Sequence, residues 1–158
     1  MESTTSHLSK EALAHLAACK GQNVTEIIYY EWLNQANPKA AYTFVDKIEF
    51  RFKTGKTMIL AINEEDSGIE IMSEYDFEAE KIAVSNEFDG KITLTKYAAQ
   101  VSVMWVAAVK NTLLEIETEA SDEGQSNTHL FFNFGEEKRV IFHHPERGLV
   151  TEIYEDDI

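Results

Sequence analysis

A single cysteine, Cys19, leaves the chain unable to close an internal disulfide, which favours a reducing compartment. Glycine is scarce and never clustered, so no glycine-rich loop is present to cradle a phosphate. No apolar run approaches the roughly 20 residues needed to cross a bilayer. Met1 to Ser6 is polar, with neither a basic region nor an apolar core, so no secretory signal is expected. Basic residues are also few. Lys and Arg total 14 against 28 Asp and Glu, a net charge of −14. Phosphate binding needs clustered Lys and Arg, so nucleic acid and an acidic membrane surface are poor ligands. The expectation is a cytoplasmic chain whose natural complement is a basic protein.

What is present suits a folded chain. Apolar residues make up 44% and charged residues 27% of 158 positions, enough to build a core without disulfides or metal. Residues 9–19 have helical spacing, with Ala12, Leu13, Leu16 and Ala17 on one face, Ser9 as a cap and Gly21 as a stop. Val24 to Tyr30 is β-branched and aromatic and reads as a strand. Residues 34–39 read as a loop.

The alternation Ile48-Glu49-Phe50-Arg51-Phe52 predicts a half-buried strand. A turn at Thr54-Gly55-Lys56 leads to a second strand over 58–62, and residues 69–72 form a third. The same order recurs later: a strand over 130–134, a turn at Gly135, strands over 139–143 and 149–154. Ile48, Phe50 and Phe52 align with Leu130, Phe132 and Phe134, and Ile59 with Ile141. Upstream, 96–109 places Tyr97, Val101, Met104, Trp105 and Ala108 at helical spacing. The expected fold class is therefore α+β. Two repeated helix-plus-antiparallel-β-meander units, at about 9–75 and 96–155, form one compact domain over 1–158. Between them, 73–91 is irregular, with a short helical turn over 76–83.

The acidic residues are unevenly placed. Between Thr57 and Gly90, Glu64, Glu65, Asp66, Glu70, Glu74, Asp76, Glu78, Glu80, Glu87 and Asp89 are opposed only by Lys81. They read either as solvated surface or as an acidic face for a cationic protein. A second group holds Glu115, Glu117, Glu119, Asp122 and Glu123, and the tail adds Glu155, Asp156 and Asp157. Residues 63–68 lack the ligand spacing of a calcium loop. His143 and His144 are strand neighbours pointing to opposite faces, so with His129 they form no metal set. Cys19 ends an apolar helical face and reads as a structural thiol. No G-x-S-x-G elbow or paired nucleophile and base stands out. No catalytic residue, metal or cofactor is expected, and the chain does not read as an enzyme. Tyr29 and Tyr30 fall on opposite strand faces, so one of them is a candidate exposed anchor near Trp32, Tyr42 and Phe44.

A small acidic chain with an aromatic-rich sheet and no catalytic motif resembles the immunity proteins of bacterial toxin systems. The resemblance is one of style across the whole chain, and no family residues carry over from it. It implies a protein that binds a cognate toxin and blocks its active site or substrate surface. The acidic segment Glu64 to Glu80 would then face the basic toxin. The alternative is a non-catalytic intracellular binding or assembly module, dimerising through a sheet edge.

Overall fold

The computed structural model describes residues 10–37, 39, 42–62, 68–120, 128–144 and 147–154. The alternating segments do pair as strands. Strand β1 (Val24–Asn34) is followed by β2 (Tyr42–Phe52), β3 (Thr57–Ile62) and β4 (Ile69–Met72). Strand β5 is Ile92–Ala98, and β6 (Glu115–Ala120), β7 (Thr128–Asn133), β8 (Lys138–His144) and β9 (Gly148–Ile153) complete a nine-stranded sheet. Its main path runs β4-β3-β2-β9-β8-β7-β6, and β1 pairs with both β2 and β5. All pairings are antiparallel except one: β9 meets β2 in parallel at Val45 and Gly148.

The expected α+β class with two helix-plus-meander units does not hold. Strands take 51% of the chain and helical residues 19%, and the sheet curls into half a barrel. Among the described residues there are two α-helices, α1 (Lys10–Ala18) and α2 (Phe77–Glu87). The helix expected over 96–109 does not form. Lys96 to Ala98 finish β5, residues 100–107 are turns, and only Ala108–Lys110 make one 3-10 turn. Val101, Val103, Val106 and Val109 are β-branched and lose side-chain freedom in a helix. Cross-strand pairing with Tyr29 draws Tyr97 into β5 instead. The segment is still core-forming, because Trp105 and Ala108 are fully buried.

Alternation explains the core. Ile48, Phe50 and Phe52 of β2 point inward with Leu130, Phe132 and Ile141 of β7 and β8. Phe50 stacks on Phe132 with ring centres 5.0 Å apart. Trp105 meets Phe50, Phe132 and Phe134 edge-on, and its Nε1 donates to the Tyr29 hydroxyl at 2.7 Å. Tyr29 in turn donates to Thr151 Oγ1 at 3.1 Å. Helix α1 packs against β4 and β6, the two ends of the sheet path, and seats Leu16 and Cys19 in the core. A bridge between Gln22 and Leu113 joins the chain just after α1 to the chain just before β6. Arg139, only 1% exposed, donates to the Met104 carbonyl at 2.6 Å and pairs with Glu137 at 3.0 Å, tying the 100–110 segment to β8.

Several buried groups titrate late. Burial pushes the Cys19 thiol up to about 11 from its ordinary 9.0. Burial also raises the hydroxyls of Tyr29, Tyr30 and Tyr75. Each folded-state value lies above the unfolded one, so the stability these groups contribute is complete below the unfolded value. It is lost as pH rises towards the folded one. For Cys19 the window is pH 9.0 to about 11. Urea midpoints measured from pH 8 upward are expected to fall across that window, and native Cys19 is expected to resist alkylation until the chain unfolds. A midpoint that stays level to pH 11 would show that these groups lie in water.

Candidate functional site

The outer face of β2 was expected to meet solvent, but Lys47 and Glu49 are 9% and 6% exposed. The segment from β4 into α2 covers them. Tyr75 packs edge-on against Tyr30 at 5.0 Å between ring centres, and Phe77 lies 5.5 Å from Tyr30. Tyr30 donates to Glu49 Oε1 at 2.6 Å, and Arg51 Nε donates to Glu49 Oε2 at 2.7 Å. Lys47 Nζ sits 4.4 Å from the centre of the Tyr75 ring and 2.6 Å from Asp46 Oδ2. The buried charges are thus paired and hydrogen-bonded, as a low-dielectric setting demands. Tyr30 is not the exposed anchor expected of one of the two tyrosines, since Tyr29 faces the core and Tyr30 lies beneath Tyr75 and Phe77. Further along, Trp32 packs between Phe44 and Phe88.

On this floor stands the acidic segment. Glu64, Glu65 and Asp66 lie outside the described residues. Glu70 is exposed on β4, in register with Ala61 and, through it, Lys47, so it shares their face. Asp76 caps α2: its Oδ1 accepts from the Ala79 amide at 3.1 Å. Glu78 and Glu80 occupy the first turn, where the helix dipole favours negative charge. Glu74, Asp76 and Glu78 gather around an open depression of about 440 Å³ with Tyr75, Phe77 and Lys96. Among the described residues, the ion pairs of carboxylates are those of Asp46, Glu26, Glu49 and Glu137. Glu70, Glu74, Asp76, Glu78 and Glu80 are not among them.

Three of these residues have a structural reason to be acidic: Glu78 and Glu80 in the first turn of α2, and Asp76 as its cap. Replacing Asp76 with alanine is expected to cost about 1 kcal/mol of stability, read as a shift in urea midpoint. Replacing it with asparagine keeps the cap and removes the charge, so its midpoint is expected to stay near that of the native chain. Equal losses in the two variants would mean that the charge, not the cap, holds this end of α2. The Tyr75 hydroxyl is buried and has no hydrogen-bond partner among the described residues. Burial, then the charges of Glu80 and Asp46, push its titration upward.

The histidines are separate. His143 is buried on the inner face, His144 is half-buried, and His129 stacks on Phe142 at 4.8 Å on the outer face. Among the described residues no three His, Cys, Asp or Glu are grouped to hold a metal ion. No helix among them is long and apolar enough to cross a membrane.

A second surface escaped the sequence-based expectation of a site. On the outer face of the C-terminal strands, Phe131 meets Tyr154 edge-on at 5.2 Å. Glu117 lies directly opposite Phe131, and Glu119 opposite His129. The signal was present in the alternation of Glu115, Glu117 and Glu119, and in Phe131 falling out of phase with the buried Leu130 and Phe132.

Comparison with protein-family models, with curated proteins and with solved structures finds no significant match.

Proposed function

We propose that this protein is a non-catalytic, cytoplasmic immunity or inhibitor protein that captures a basic partner, a cognate toxin, on the acidic surface at the start of α2. The observation that supports this most is the set of carboxylates at Glu70, Glu74, Asp76, Glu78 and Glu80. They stand outside the ion pairs of the described residues, on a floor of packed aromatics and buried, paired charges. Unpaired charge on rigid backbone attracts a cationic surface without first breaking internal pairs. The depression beside Tyr75 and Phe77 gives such a surface an apolar patch to seat against.

The test is co-expression with the product of the neighbouring reading frame, scored by survival and by co-purification. The native chain is expected to protect and to co-purify. A variant carrying Glu70→Gln, Glu74→Gln, Asp76→Asn, Glu78→Gln and Glu80→Gln is expected to do neither while staying folded, with its urea midpoint lowered only by the loss of the two first-turn charges. Sedimentation at several concentrations separates this role from an assembly module. A dimer insensitive to salt, together with unchanged survival, would favour the module.

A further inference from the structure

We propose that the outer face of β6 and β7 is a second docking groove, one that takes an extended segment with arginines at alternate positions from a partner protein. The groove holds about 620 Å³ and is lined by Glu117, Thr118, Glu119, Phe131 and Tyr154. Its floor is aromatic and its rim is acidic. Glu117 and Glu119 are exposed, while Phe131 and His129 are half-buried. Phe131 is held in place by Tyr154 at 5.2 Å, and His129 by Phe142 at 4.8 Å, so the floor is built before anything binds.

The chemistry of the occupant follows from what this chain does elsewhere with the same parts. Lys47 sits over the Tyr75 ring at 4.4 Å while paired with Asp46 at 2.6 Å. Lys96 sits over Phe77 at 4.7 Å, in the depression lined by Glu74, Asp76 and Glu78. At Lys47 a ring face and a carboxylate together hold a cation; at Lys96 a ring face holds one in a depression that carboxylates line. Phe131 with Glu117 and Glu119 offers the same combination, and among the described residues no cation lies over the Phe131 ring. The exposed carboxylates of Glu117 and Glu119 beside that ring complement a cation brought by a partner. Arginine suits the site better than lysine, because its planar group stacks on a ring while donating to a carboxylate.

Spacing sets the form of the segment. Glu117 and Glu119 are two residues apart on one strand, so they project from the same face roughly 7 Å apart. An extended segment repeats its side chains on one face at the same interval. Two arginines separated by one residue would therefore reach both carboxylates, while adjacent arginines would point to opposite faces. Negative charge at the rim disfavours nucleic acid and anionic lipid. This groove is distinct from the α2 surface, and its occupancy does not depend on the function proposed for that surface.

The test uses two blocked peptides of equal charge, Gly-Arg-Gly-Arg-Gly and Gly-Gly-Arg-Arg-Gly, titrated into the full chain and followed by amide and aromatic NMR shifts. The alternating peptide is expected to shift β6, β7 and Tyr154, and to bind about tenfold more tightly than the adjacent one. A Glu117→Gln, Glu119→Gln variant is expected to lose that preference, and so is Phe131→Leu, which keeps the packing but removes the ring face. The five-site α2 variant is expected to retain it. Equal affinity for the two peptides, shifts confined to the α2 surface, or undiminished preference in the Glu117→Gln, Glu119→Gln variant would each overturn the proposal.

Discussion

Replacing Trp105 with alanine is expected to lower stability by about 3–5 kcal/mol. The indole is fully buried and meets three rings, those of Phe50, Phe132 and Phe134. Phe50 comes from β2 and Phe132 from β7, so Trp105 bridges the inner faces of the two meanders. Alanine would leave a cavity among rigid aromatics, which relax little. It would also remove the donor to Tyr29. Trp105→Phe keeps most of the ring contact and loses only that hydrogen bond, so its cost is expected near 1–2 kcal/mol. Urea unfolding checks both, with unchanged slope. Similar small losses in the two variants would mean that the 100–110 segment does not close the core.

Gly148→Ala is expected to be nearly as damaging, for a different reason. Gly148 has φ of +82°, where any side chain is strained by about 1–2 kcal/mol. An added Cβ would also collide with the Val45 carbonyl oxygen and come within 2.9 Å of the Val45 nitrogen. Those are backbone atoms of β2, at the one place where β9 joins it. Relief requires moving one meander away from the other. Gly55 supplies the control: its φ is +95°, and a Cβ there meets nothing within 4 Å. Gly55→Ala is expected to lose only the strain of about 1–2 kcal/mol, and Gly148→Ala clearly more. Equal midpoints for the two would show that β2 and β9 have room to part.

How much of this was legible in the chain depends on the range of the interaction. The β2–β3 hairpin is readable from Ile48-Glu49-Phe50-Arg51-Phe52 and the Gly55 turn, because both signals are local. The β7–β8–β9 meander is readable for the same reason. The segment around Trp105 misleads, because its apolar spacing suits a helix while its valines do not. Its fate was decided by Tyr97 pairing with Tyr29, some 68 positions away in the chain. The parallel contact of β2 with β9 leaves no local trace beyond one glycine. The burial of Lys47 and Glu49 was equally hidden. Strict alternation predicts an open outer face, and only the tertiary placement of Tyr75 and Phe77 covers it.

The acidic surface was legible as composition but not as geometry. Asp76 and Glu78 carry ordinary cap and first-turn signals, yet nothing in the sequence sets Glu70 on the face of Lys47. The second surface was legible in principle. Glu115, Glu117 and Glu119 alternate, and Phe131 lies out of phase with its buried neighbours. The alternation that buries Leu130 and Phe132 sets Phe131 on the opposite face.

The most direct test of the central claim is the association rate with the basic partner, measured for the native chain and for the five-site α2 variant at low and high salt. The native rate is expected to fall steeply with salt. The variant is expected to start at least about tenfold slower at low salt and to change little. Native and variant chains binding at the same rate, with the same salt dependence, would contradict a role for this surface in capture.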